Sequence, residues 1–150
     1  MGKAPVFIAS DHAGVDTKAL VRRHLEARGF VVEDLGPDST ASIDYPGQAH
    51  RLAQQVVATA GSWGVLICGT GIGMSIAANK VAGARAALVH EPFTARMARE
   101  HNDANIIVLG ARVTGSELLL ASLDTFAATP FTPGDDGRHA RRVAAIERSP

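Results

Sequence analysis

Gly64-Val65-Leu66-Ile67-Cys68-Gly69-Thr70-Gly71-Ile72-Gly73 is the stretch that decides the fold. Its first half is a short apolar run that reads as a buried strand, Gly64 to Cys68. Its second half places three glycines in five residues ahead of a helical pattern from about Met74 to Val81. A strand that passes through a glycine loop into a helix is the repeating unit of a parallel sheet, whose neighbouring strands need crossover connections. The same alternation continues on both sides. Ala4 to Ala9, Phe30 to Leu35, Ala84 to Val89 and Ile106 to Leu109 read as further strands. Val15 to Arg28 reads as a helix closed by Gly29, and Ala49, Leu52, Ala53, Val56, Val57 and Ala60 fall at helical intervals before Gly61. Pro92 sits where a helix through Arg96 and Arg99 would begin. Thr114-Gly115-Ser116-Glu117 has capping-box spacing for a helix from Gly115 to about Ala128. Pro130, Pro133, Gly134 and Gly137 then mark a loop before a last amphipathic segment with Arg138, Arg142, Val143 and Ile146.

Five strands alternating with helices predict a three-layer α/β/α sandwich around a five-stranded parallel sheet, a Rossmann-like arrangement in a single domain over 1–150. Only 5% of the 150 residues are aromatic against 46% hydrophobic, so the core has to be built mainly from small aliphatic side chains. Fifteen Lys and Arg balance fifteen Asp and Glu, which argues against nucleic acid or an anionic membrane as the main partner. A single cysteine makes no internal disulfide, and no long apolar stretch is present, so a reducing cytoplasm is the expected location.

Ligands of parallel sheets bind at the carboxyl ends of the strands. Four unusual loops fall there: Ser10 to Gly14, Cys68 to Gly73, His90-Glu91, and Gly110-Ala111-Arg112. In the second, a thiol precedes a helix start, where unpaired N–H groups and the helix dipole favour negative charge. Glycine also lets the backbone approach a ligand closely enough to hold a phosphate or a developing oxyanion. The bland alternative is a buried structural cysteine before a tight turn. A dinucleotide fingerprint fits poorly. Counted from Gly69 its third small position is Met74, counted from Gly71 it is Ile76, and only the distance to Glu91 suits it. Histidines at 12, 24, 50, 90, 101 and 139 lack the spacing of a metal pair, so neither a metal nor a cofactor is expected; His24 and His50 read as surface residues. Asp11-His12 reads equally as an acid/base pair and as a hydrogen-bonded turn, and His101-Asn102-Asp103 has the same two readings. Arg138 and Arg142, four apart on a helix, could grip one phosphate with Arg112 as a third donor, or form a solvated basic tail.

Taken together, Ser10-Asp11-His12-Ala13-Gly14, Asp44-Tyr45-Pro46, Cys68 to Gly73, Ala77-Ala78-Asn79-Lys80, Arg99-Glu100-His101-Asn102, Gly110-Ala111-Arg112 and Gly137-Arg138-His139 with Arg142 resemble the B-type ribose-5-phosphate isomerase family. That family also takes in galactose-6-phosphate and allose-6-phosphate isomerases. The resemblance implies a metal-free aldose–ketose isomerase that passes through an enediolate, with ribose 5-phosphate as the leading substrate and a six-carbon sugar phosphate as the alternative. Cys68 matches the catalytic base; relatives without that Cys use a Glu at the position of Met74. Thr70 matches the residue near the sugar oxygens, and the N–H groups from Gly69 to Gly73, those of Gly69, Gly71, Ile72 and Gly73 among them, would stabilise the enediolate. Asp11 and His101 match the ring-opening pair, Asn102 and Tyr45 flank the sugar, and His12, Arg112, Arg138 and Arg142 match the phosphate grip. The resemblance further implies a homodimer or tetramer whose site is shared, with His101, Asn102, Arg138 and Arg142 supplied by the partner of the Cys68 chain. It implies a sheet order beginning 2-1-3 with strand five beside strand three. Pro130 to Asp136 departs from the family pattern. A non-catalytic sugar-phosphate-binding regulator is the reading from another class, and the thiol counts against it.

Overall fold

The computed structural model describes residues 4–148. Strand β1 (Val6–Ser10) is followed by a 3-10 turn over His12–Gly14 and helix α1 (Val15–Ala27). Strand β2 (Val32–Asp34), helix α2 (Tyr45–Ala58), strand β3 (Trp63–Cys68) and helix α3 (Ile72–Ala78) come next. The chain ends with β4 (Ala86–Leu88), α4 (Pro92–Asn102), β5 (Ile106–Gly110), α5 (Ser116–Ala128) and α6 (Arg138–Glu147). All strand pairs are parallel, in the order β2-β1-β3-β5-β4. The expected sheet order and α/β/α layering are both found.

Alternation along the strands sends side chains to two cores. Val6, Ile8, Val65, Ile67, Ile107 and Leu109 pack under α1, α4 and α5, while Phe7, Ala9, Leu66, Cys68, Ile106 and Val108 pack under α2 and α3. Both faces are covered, which is why the central strands read as continuous apolar runs. Gly64 brings α2 close to β3: a Cβ there would lie 2.5 Å from Leu52 Cδ2 and 2.9 Å from Val56 Cγ2.

Several expected boundaries shift, each for a local reason. Helix α2 buries Ala49, Leu52, Ala53 and Val56, but Val57 is exposed within it and Ala60 is exposed beyond its end at Ala58. Helix α3 stops at Ala78 rather than Val81, where the Asn79 side chain accepts from the Ala86 N–H (2.8 Å) and donates to the Ala86 carbonyl (2.9 Å), tying the helix end to edge strand β4. The capping box at Thr114 does not form. Gly115 is the N-cap of α5 and no side chain caps it. His24 is not a bland surface residue: its Nε2 lies 2.7 Å from Asp124 Oδ1, joining α1 to α5.

Helix α4 begins on Glu91, whose carboxylate accepts from the N–H groups of Phe93 (2.6 Å) and Thr94 (2.7 Å). Bonding to Thr94 and the Phe93 N–H holds the carboxyl pKa below its ordinary value, because those bonds favour the charged form. A depressed carboxylate contributes stability that is present above its unfolded-state pKa and lost as pH falls through the folded-state value. Glu91→Gln is therefore expected to lower Tm near neutral pH, with the deficit shrinking in acid; thermal melts of both proteins across the acid range check this.

Candidate active site

The carboxyl edge of the sheet gathers one group of side chains. Cys68 ends β3 and is 5% exposed, and its Sγ accepts a hydrogen bond from the Gly71 N–H at 3.1 Å. The Ile72 N–H donates to Thr70 Oγ1 at 3.2 Å. The N–H groups of Gly69, Thr70 and Gly73 have no acceptor among the described residues, so the loop presents donors beside a thiol. This geometry needs glycine at Gly71, where φ is +81° and a Cβ would lie 2.5 Å from Leu88 Cδ1. The loop is fastened to its neighbour by Ala111 N–H to the Cys68 carbonyl (2.8 Å) and Arg112 N–H to the Gly69 carbonyl (2.9 Å).

Tyr45 closes one side of the loop, its ring lying against Gly73, where a Cβ would stand 2.5 Å from Cζ. Arg112, exposed, passes over Gly69. Asp11, 7% exposed, accepts through Oδ1 from the N–H groups of Ala13 (2.9 Å) and Gly14 (3.2 Å). The turn reading of Asp11 thus holds for that oxygen and leaves Oδ2 outside the turn. His12 Nδ1 accepts from the Ile43 N–H at 3.4 Å, which assigns its proton to Nε2 and makes that nitrogen a donor. Met74, on α3, is fully buried in the core between α2, α3 and the sheet.

His101, Asn102, Arg138 and Arg142 form a second group at the other end of the molecule. Helix α4 starts beyond the carboxyl end of β4 and runs 11 residues, about 16 Å at 1.5 Å per residue, back to the amino edge where β5 begins. His101 and Asn102 occupy its last turn, and Asp103 (φ 45°) takes the turn itself, with Arg99 Nη1 3.0 Å from its carboxylate. Helix α6 lies beside that turn: the rings of His101 and His139 are 4.2 Å apart. Arg138 and Arg142 are exposed on α6, and Arg85 ties the far end of that helix to the amino edge through Glu147. Asp136 accepts from the Arg138 N–H at 3.0 Å, which with Arg141 lowers its carboxyl pKa. Within one chain, then, the three arginines do not converge: Arg112 stands with Cys68, and Arg138 and Arg142 stand with His101.

Glu91, the residue at the distance a dinucleotide fingerprint would need, spends its carboxylate on capping α4. Two residues had no role assigned from the sequence. Lys18 is buried, 2.6 Å from Asp34 and 2.7 Å from the Pro37 carbonyl, and braces the loop that follows β2. His139, 5% exposed, falls in the Gly137-Arg138-His139 motif, but no signal in the sequence pointed to a role of its own. Among the described residues, no three His, Cys, Asp or Glu side chains are grouped to hold a metal ion.

Fold and site together define an α/β protein with a thiol and a donor-rich glycine loop at the carboxyl edge of a parallel sheet. The profile of the Ribose/Galactose Isomerase family matches residues 6–146, and the chain belongs to that family. It is 43% identical to ribose-5-phosphate isomerase B of Escherichia coli K12 over 94% of this chain and 93% of that protein. Its structure matches a ribose 5-phosphate isomerase of Thermotoga maritima with a TM-score of 0.93 at 45% identity, covering 99% of this chain and 100% of that one. It also matches ribose-5-phosphate isomerase B of Mycoplasma genitalium with bound ribulose-5-phosphate, with a TM-score of 0.90 at 40% identity over 96% and 94% of the two chains.

Proposed function

We propose that this chain, acting as one domain, is an aldose–ketose isomerase interconverting ribose 5-phosphate and ribulose 5-phosphate in a reducing cytoplasm. The observation that carries the reading is the buried Cys68 thiol facing a loop whose N–H groups await an acceptor. Asp11 and His101 open the furanose ring. Cys68 as thiolate takes the proton from C2 of the open-chain aldose, and the electron pair moves onto the aldehyde oxygen to give an enediolate. Donors from Gly69 to Gly73 stabilise that charge, most effectively where water is excluded. Thr70 exchanges the proton between the two sugar oxygens, and Cys68 returns its proton to C1, so the hydroxyl at C2 becomes the ketone. No bond other than these changes and no electron acceptor is needed.

His12 and Arg112 then hold the phosphate from the Cys68 side, while Arg138 and Arg142 hold it from a second copy of the chain. What supports a shared site is the separation of the two groups, about the length of α4, which one sugar phosphate cannot span within a single chain. A homodimer is the minimum that completes it, and pairing of dimers is compatible with it.

Comparing kcat/KM on ribose, allose and galactose phosphates tests the substrate. The pentose phosphate is expected to be the best of the three; higher efficiency on a hexose phosphate would move the assignment to a six-carbon sugar. Turnover is expected to be unaffected by EDTA. Calorimetric binding with no turnover on any of them would leave a regulator that keeps the pocket without the chemistry.

A further inference from the structure

We propose that Pro130 to Asp136, the segment that departs from the family pattern, is a strap that positions His101 through His139. This rests on the ring-opening role given to His101 above. His101 sits in the last turn of α4 with 40% of its side chain exposed, so few neighbours on its own helix surround the ring. Two contacts from the strap hold it instead. Thr132 donates its N–H to the carbonyl of Glu100, the residue before His101, at 3.0 Å. The carbonyl of the same Thr132 lies 2.9 Å from His139 Nδ1, which must be the donor because a carbonyl only accepts.

The His139 backbone N–H also reaches back to the Pro133 carbonyl at 2.9 Å, so ring and main chain are both tied to the strap. Pro130 and Pro133 restrict its backbone, and Gly134 (φ +84°) and Gly137 (φ +71°) turn it into α6. The result is a buried, anchored imidazole with its face 4.2 Å from the half-exposed ring of His101, tilted by 37°. An anchored ring packed against a partly exposed one restricts the rotamers open to the exposed ring. His139 is therefore a positioning residue, acting on the substrate only through His101.

The test separates ring opening from proton transfer. Ribose 5-phosphate is a furanose and must be opened. Ribulose 5-phosphate, whose C5 oxygen is esterified, has no furanose form, and exchange of its C1 proton with D2O needs only the Cys68 chemistry. His139→Leu and His139→Asn, which lack an aromatic face, are expected to lower kcat on ribose 5-phosphate about tenfold to a hundredfold, with KM within about threefold. Deuterium incorporation into ribulose 5-phosphate, followed by NMR, is expected to stay near wild type. His139→Phe keeps the ring face but not the bond to the Thr132 carbonyl, so it is expected to recover only part of the loss.

Thr132→Pro removes the N–H to Glu100 at an exposed position and probes the strap without touching the buried ring; it is expected to slow ribose 5-phosphate turnover and spare exchange. Equal loss in both reactions, no loss in either, or a Phe variant as fast as wild type overturns the strap. If neither ring-less variant folds, wild-type turnover in Thr132→Pro overturns it. His101→Asn distinguishes the two claims: exchange slowed as much as turnover removes the ring-opening role from His101, whereas spared exchange alongside unaffected His139 variants removes only the strap.

Discussion

Cys68→Ala is expected to abolish isomerisation while substrate affinity stays within a few-fold of wild type. A general base acts on the transition state, so its removal shows in kcat rather than in binding, and loss of such a group typically costs about 10²–10⁴-fold in rate. The pocket should survive the change. The thiol is 5% exposed and its one hydrogen bond is to the Gly71 N–H, so alanine removes a small buried group without leaving a charge unpaired. Steady-state kinetics with calorimetric titration of the sugar phosphate checks both halves. Normal turnover would remove Cys68 as the base, and no other thiol is available to replace it, since the chain contains one cysteine.

Arg142→Ala is expected to raise KM and lower kcat together, because binding energy at the phosphate also holds the reacting carbons in place. A charge-assisted hydrogen bond of about 1.5–3 kcal/mol corresponds to a loss of roughly tenfold or more in kcat/KM. The larger effect comes from mixing. Arg142 and Cys68 lie at opposite edges of the same sheet, so in a shared site they come from different chains. Inactive Cys68→Ala and weakened Arg142→Ala subunits should then regain activity when exchanged, because a heterodimer contains one site with both residues intact. Subunit exchange is followed independently by mass spectrometry. Heterodimers without recovery would place Cys68 and Arg142 in one chain's site or remove Arg142 from it.

Much of the carboxyl-edge group was legible because its signals are local. Glycines at 69, 71 and 73 after an apolar strand announce a loop that approaches something closely, and the strand before it dictates which edge of the sheet it reaches. Asp11-His12 was visible as a polar break after a strand, but whether it turned the chain or faced a ligand depended on where Oδ1 bonded. His24 was misread because its partner, Asp124, is 100 residues away. Lys18 was missed for the same reason: nothing around it in the chain distinguishes a buried lysine from a solvated one, and only the return of Asp34 and Pro37 to it shows the difference. The capping box failed because Thr114-x-x-Glu117 is a spacing, not a conformation, and Gly115 took the cap.

The alternation of strands and helices, the two-sided burial and the edge that carries the glycine loop were determined by the sequence itself, since hydrophobic period, helix stops and right-handed crossovers act over neighbouring residues. The placement of His101, Arg138 and Arg142 was decided only by the tertiary structure. Their spacing allows one phosphate grip with Arg112, but α4 runs antiparallel to β5 and carries His101 to the amino edge, where α6 packs on it. A helix's direction across the sheet is set by which strands pair, a non-local choice, and it is this that separates the Cys68 group from the His101 group within one chain.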